Sequence, residues 1–177
     1  MGLDYKNLDE RTRQLMLTEI ERDIALDSLY VSENLSAQGQ IDYPDLIRNA
    51  AKGGNDVTLA ADISTRLNSH EKPRRLNSGK LSKPPVMRSN AHEMLAEGEF
   101  NRFYIRACCL CAIEDGISEV VVYRAKTVQS ARAASEQMIS QMILAEQLLN
   151  DLRNNPGVDT ALGLPPGPNS GLSVHLP

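Results

Sequence analysis

Apolar positions recur at helical spacing in several stretches of this chain and lose all period in two others. In "ERTRQLMLTEIERDIAL" Leu17, Ile20 and Ile24 repeat every three or four residues, while Glu19, Glu21, Arg22 and Asp23 mark a wet face. This predicts a helix over about 10–26, capped by Asp9. "DYPDLIRNAAKGG" reads as a second, short helix capped near Asp42, with Pro44 in its first turn and Gly53 ending it. A third follows in "NDVTLAADISTRLN", where Leu59, Ile63 and Leu67 form one narrow apolar stripe behind an Asn55 or Asp56 cap.

The second half repeats the helical pattern around one β-rich segment. Glu99 to Asp115 is expected to be helical and to end at Gly116, with Phe100, Phe103, Tyr104, Ala107 and Cys111 on one side. "ISEVVVYRAK" is rich in β-branched residues and is the best strand candidate. A long helix is then expected from about Ala133 to Asn154, since Met138, Ile139, Met142, Ile143, Ala145, Leu148, Leu149 and Leu152 make a broad apolar face.

Two segments break the pattern. Residues 69–90, "SHEKPRRLNSGKLSKPPVMRSN", hold six Lys or Arg, one Glu and three Pro, and read as a basic, extended linker or arm. The pair Pro84-Pro85 removes two backbone donors, which argues against a central strand there. The closing "PGVDTALGLPPGPNSGLSVHLP" has five Pro and four Gly in 22 residues and cannot propagate a helix. Its Val158, Leu162, Leu164, Leu172, Val174 and Leu176 return regularly between the breakers, so it reads as an extended strap docking on another surface rather than a solvated tail.

The expected architecture is α+β and mainly α-helical: a compact helical body with one or few short strands, an extended basic arm and a Pro/Gly-rich C-terminal strap. Its divisions fall at 1–68 (N-terminal helical region), 69–90 (arm), 91–155 (helix–strand–helix region) and 156–177 (strap).

Composition narrows the function more than it names it. The chain has 177 residues, no Trp, two Phe and five Tyr, so its core must rest on aliphatic side chains. Its net charge of -4 makes the molecule as a whole no obvious polyanion binder. No apolar run is long enough for a membrane span and the first residues are charged, so the expected location is the cytoplasm.

Candidate chemistry is sparse. Cys108, Cys109 and Cys111 cluster in "ACCLCA", but on a helix Cys109 points away from the other two, and zinc wants four ligands. Packing is the expected role of these thiols. His70, His92 and His175 show no metal-ligand spacing, and neither a phosphate loop nor a nucleophile elbow occurs. No cofactor is expected. The acidic pairs Glu97 with Glu99 and Glu114 with Asp115 read as solvated helix-end carboxylates rather than an acid–base couple.

The segments "EGEFNRFYIRACCLCAIEDGISEVVVYRAK" and "GVDTALGLPPGPNSGLSVHLP" resemble parts of uncharacterised proteins encoded by tailed phages and prophages, over roughly residues 96–177. The resemblance implies a small virion-associated protein of the head or capsid, made in the host cytoplasm and then carried in the particle, and transfers no catalytic residue.

Three expectations follow. The first is a non-enzymatic structural protein that docks on subunits of a larger assembly, a phage capsid or head protein or further copies of itself, through Lys72, Arg74, Arg75, Lys80, Lys83 and Arg88 of the arm and the apolar residues of the strap. The second is a nucleic-acid-associated protein using 72–88. The third is an enzyme of unrecognised type with a pocket lined by Tyr104, Arg106, Tyr123 and Arg124.

Overall fold

A computed structural model describes residues 2–127, 133–156 and 171–177. Within them lie six helices and three strands: α1 (Glu10–Ala25), α2 (Ala37–Gly53), α3 (Asp56–Ser64), α4 (Ala91–Glu114), β1 (Glu119–Arg124), α5 (Ala133–Met138), β2 (Met142–Leu144), α6 (Ala145–Asn154) and β3 (Leu172–His175). The fold is mainly helical α+β. No helix among the described residues is long and apolar enough to cross a membrane.

Helix α4 is the axis of the molecule. It packs against α1, α3 and α6 and against β1 and β3. Its apolar residues do not keep to one stripe, which is the pattern of a helix covered on most sides. Phe100, Phe103, Tyr104, Ala107 and all three cysteines are buried on it. Met16 and Ile20 of α1, Ile47 of α2, Leu59 and Ile63 of α3 and Leu148 of α6 close the core around it.

Local chemistry fixes several element ends. The Asp9 carboxylate accepts from the Thr12 amide at 2.9 Å to start α1. Asn55 and Thr58 form a reciprocal capping box at α3. Gly116 follows the end of α4, where the sequence places it.

Other boundaries differ from the sequence expectation. Helix α2 begins at Ala37, capped by Ser36 rather than near Asp42, and Pro44 lies inside it. Helix α4 begins at Ala91, eight residues before Glu99, and carries Gly98 in its interior. The long helix expected over 133–154 does not form. Ser140 takes a left-handed φ of 67°, its amide donates to the Val122 carbonyl at 2.8 Å, and Met142–Leu144 joins β1 as a strand. Pairing with the β-branched run of β1 overrides the helical spacing. Met142, counted in an apolar helix face by the sequence, is instead half-exposed on that strand, as is Leu144.

The sheet has the order β2-β1-β3 and is antiparallel throughout. Val122 pairs with Val174 and Arg124 with Leu172. The described end of the strap therefore docks on the chain's own body: Leu172 and Val174 are buried in the intramolecular sheet and Leu176 packs against the core. Asn101 on α4 latches β3, donating to the Leu172 carbonyl at 2.9 Å and accepting from the Ser173 hydroxyl at 2.7 Å. Val158, Leu162 and Leu164 lie outside the described residues.

Candidate docking surface

Residues 69–90 fold back as a narrow hairpin instead of projecting as an open arm. Isolated bridges join His70 to Val86 and Arg75 to Leu81. At the tip the Gly79 amide donates to the Leu76 carbonyl at 2.9 Å and the Leu76 amide to the Lys80 carbonyl at 2.8 Å. Gly79 supplies the positive φ, 78°, that this three-residue connection demands. Pro84 and Pro85 interrupt the ladder, although the Pro85 carbonyl still accepts from the Glu71 amide at 2.8 Å.

Glu71 organises the cations at the hairpin base. Nearly buried, it accepts from Arg88 Nε and Arg74 Nη2, each at 2.8 Å. Those two bonds, Arg88 first, hold its carboxyl below the ordinary glutamate range. Lys72 pairs with Glu33 on the loop before α2 at 2.6 Å. Half of the six cations are thus matched within the chain. Among the described residues Arg75, Lys80 and Lys83 have no carboxylate in ion-pair range, and all three are exposed.

Apolar side chains stand between those cations. Leu76 is 50% exposed, Leu81 68% and Val86 72%. The ordered hairpin thus holds three large apolar groups in water, spaced by cations without an ion-pair partner among the described residues. Apolar and cationic groups alternate along it.

A second surface lies at the other end of α4. A cleft of about 550 Å³ is lined by Ile113, Ile117 and Leu144 together with Ser118, Glu146 and Gln147. Ile113 and Leu144 are exposed there, and Met142 lies on the same short strand. Among the described residues β2 pairs only with β1, so its outer edge is open. Glu146 stands in the cleft wall, Glu119 is the register partner of Leu144, and Glu114 and Asp115, next in sequence to the lining residues Ile113 and Gly116, are both gripped by Arg11.

The remaining sequence candidates have structural partners. Among the described residues, Tyr104, Arg106, Tyr123 and Arg124 each have a partner within the fold; Arg106 is buried against α1. The Tyr104 hydroxyl accepts from the Asn7 amide, the Tyr123 hydroxyl donates to the Asp4 carbonyl, and Arg124 pairs with Glu136. Glu97 binds Lys126, and Glu99 faces Arg102 at 3.4 Å inside the protein. Burial raises the Glu99 carboxyl above its ordinary range even against Arg102. The thiols are buried, and desolvation pushes Cys108 up to about 12 and raises Cys109 and Cys111 as well. Such thiols are protonated and poor nucleophiles. Among the described residues no group of three or more His, Cys, Asp or Glu is placed to hold a metal.

One arrangement escapes the sequence expectation altogether. Glu19 and Asp23, assigned there to the wet face of α1, are buried against Arg106. Arg106 Nε donates to Glu19 at 2.7 Å, and Arg153 of α6 reaches the same carboxylate at 3.0 Å. The available signal was periodicity: Thr12, Met16, Glu19, Ile20 and Asp23 lie on one helical face. No protein-family model, curated protein or solved structure matches this chain.

Proposed function

We propose that this is a non-enzymatic structural protein that docks on a multi-subunit assembly, with the hairpin 69–90 as its docking element. The observation that carries this reading is the exposure of Leu76, Leu81 and Val86 on a folded, Glu71-anchored hairpin. Ordering such a segment costs conformational entropy, and covering its apolar groups with a partner offsets that cost. The resemblance of residues 96–177 to tailed-phage proteins favours a phage head, where the chain would be a cement or minor virion protein.

The test is co-sedimentation with particles through a density gradient, followed by mass spectrometry of the particle fraction. The wild-type chain is expected in that fraction, and Leu81→Glu with Val86→Glu is expected to leave it while keeping its helical circular dichroism. A double variant retained at the wild-type level overturns the reading. Loss on neutralising Arg75, Lys80 and Lys83, with steeply salt-dependent DNA binding and no effect of Leu81→Glu, would assign the hairpin to nucleic acid instead.

A further inference from the structure

Hairpin and cleft are complementary and cannot meet within one molecule. The hairpin precedes Ala91 and the cleft begins at Ile113, so they stand at opposite ends of the 24-residue α4, about 36 Å long. The hairpin is also tethered at its base: the Asn68 amide donates to the Asn34 carbonyl at 2.8 Å, and Lys72 is paired with Glu33. One patch offers apolar groups spaced by the cations Arg75, Lys80 and Lys83. The other offers Ile113, Met142 and Leu144 beside Glu146 and Glu119, and no cation among the described residues is in ion-pair range of either carboxylate.

We propose that the occupant of the cleft is the hairpin of a second copy of this chain, so that copies associate head to tail. This rests on the docking role given to the hairpin above and names its partner. The open edge of β2 gives the incoming hairpin a row of backbone groups to pair with, while Leu76 and Leu81 meet Ile113 and Leu144 and Lys80 faces Glu146. Two different patches at opposite ends make a heterologous contact. Such a contact closes into a ring where the rotation allows and otherwise extends into a filament. Either product suits a chain that lines or decorates an assembly.

The experiment uses the purified full chain and sedimentation velocity across a concentration series. Mass is expected to rise with concentration and to fall with added salt. Leu81→Glu and Leu144→Glu are each expected to weaken association at least about tenfold, with circular dichroism unchanged. The decisive arm mixes the two variants. Each alone is monomeric, but together they hold one intact hairpin and one intact cleft, so the mixture forms a dimer that grows no further. Lys80→Glu weakens association, and Glu146→Lys in the other copy restores it. A wild-type chain that stays monomeric throughout, or a variant mixture that fails to pair, overturns the proposal. If the chain stays monomeric while hairpin variants still leave the particle fraction, the docking reading stands and only the second copy is excluded as partner. Retention of those variants in the particles removes the docking reading itself.

Discussion

Arg106 on α4 grips Asp23 on α1 with both terminal nitrogens, at 2.6 and 2.9 Å, across 83 residues of sequence. Both side chains are inside the protein, and Glu19 takes the remaining Nε donor. Arg106→Ala would leave Glu19 with Arg153 alone and Asp23 with Arg22 alone, both inside the protein, and is expected to lower stability by about 3 kcal/mol. Arg106→Lys keeps the charge but not the planar fork and should recover only part of that loss. Urea unfolding followed by circular dichroism distinguishes the two; equal midpoints for wild type and Arg106→Ala would contradict the assignment.

The same network sets an acid limit. Burial alone would raise the Glu19 carboxyl, but hydrogen bonds and charge from Arg153 and Arg106 outweigh it and hold the group below its ordinary range. With the folded value below the unfolded one, this contribution is present above the ordinary glutamate value of about 4.3 and is lost as pH falls towards the folded value. Wild type should therefore exceed Glu19→Gln in stability at neutral pH, with the gap closing below about pH 4.3. A gap that stays constant on acidification would refute this.

Buried, protonated thiols should resist alkylation. At mildly alkaline pH the native chain is expected to take up iodoacetamide slowly or not at all, and to acquire three adducts once unfolded in urea. Intact-mass spectrometry reads the count. Rapid single labelling of the folded chain would expose a reactive cysteine, and unfolding by a chelator would reveal a metal.

Two glycines with the same backbone hand should respond differently to alanine. Gly79 (φ 78°) faces open space, so Gly79→Ala carries only the left-handed penalty, about 1 kcal/mol, confined to the hairpin. Gly171 (φ 64°) would place its new Cβ 2.5 Å from the Lys126 carbonyl oxygen, where the chain enters β3. Gly171→Ala should cost more than about 2 kcal/mol and lower global stability. Thermal unfolding checks the order; equal midpoints for the two variants would contradict it.

Local signals marked much of this architecture in the sequence. Asp9, Asn55 and Gly116 act where they stand, because caps and helix stops depend on neighbouring residues alone, and the β-branched run of β1 carried its own preference. Non-local partners decided the rest. Met142–Leu144 has helical spacing but is drawn into the sheet by β1, and Glu19 reads as a surface residue until Arg106, 87 residues away, folds against it. Six cations in 69–90 read as one basic arm, yet Glu71, the single acid among them, pairs with two and helps to fold the segment. The cleft left no trace in the sequence, since it is assembled from the end of α4, β2 and α6.

Because β3 pairs with β1 in register from Val121–His175 to Arg124–Leu172, the middle strand of the sheet gains its second neighbour about fifty residues after it is synthesised. At about 5–20 residues per second that leaves β1 for several seconds with a bare, valine-rich flank. Any shortened product ending before Leu172 keeps that flank permanently, and Asn101 loses both of its β3 partners. Removal of the last 22 residues is therefore a lesion in the protein's own sheet that invites aggregation, and a loss of docking in such a truncated chain would report on misfolding rather than on a missing contact.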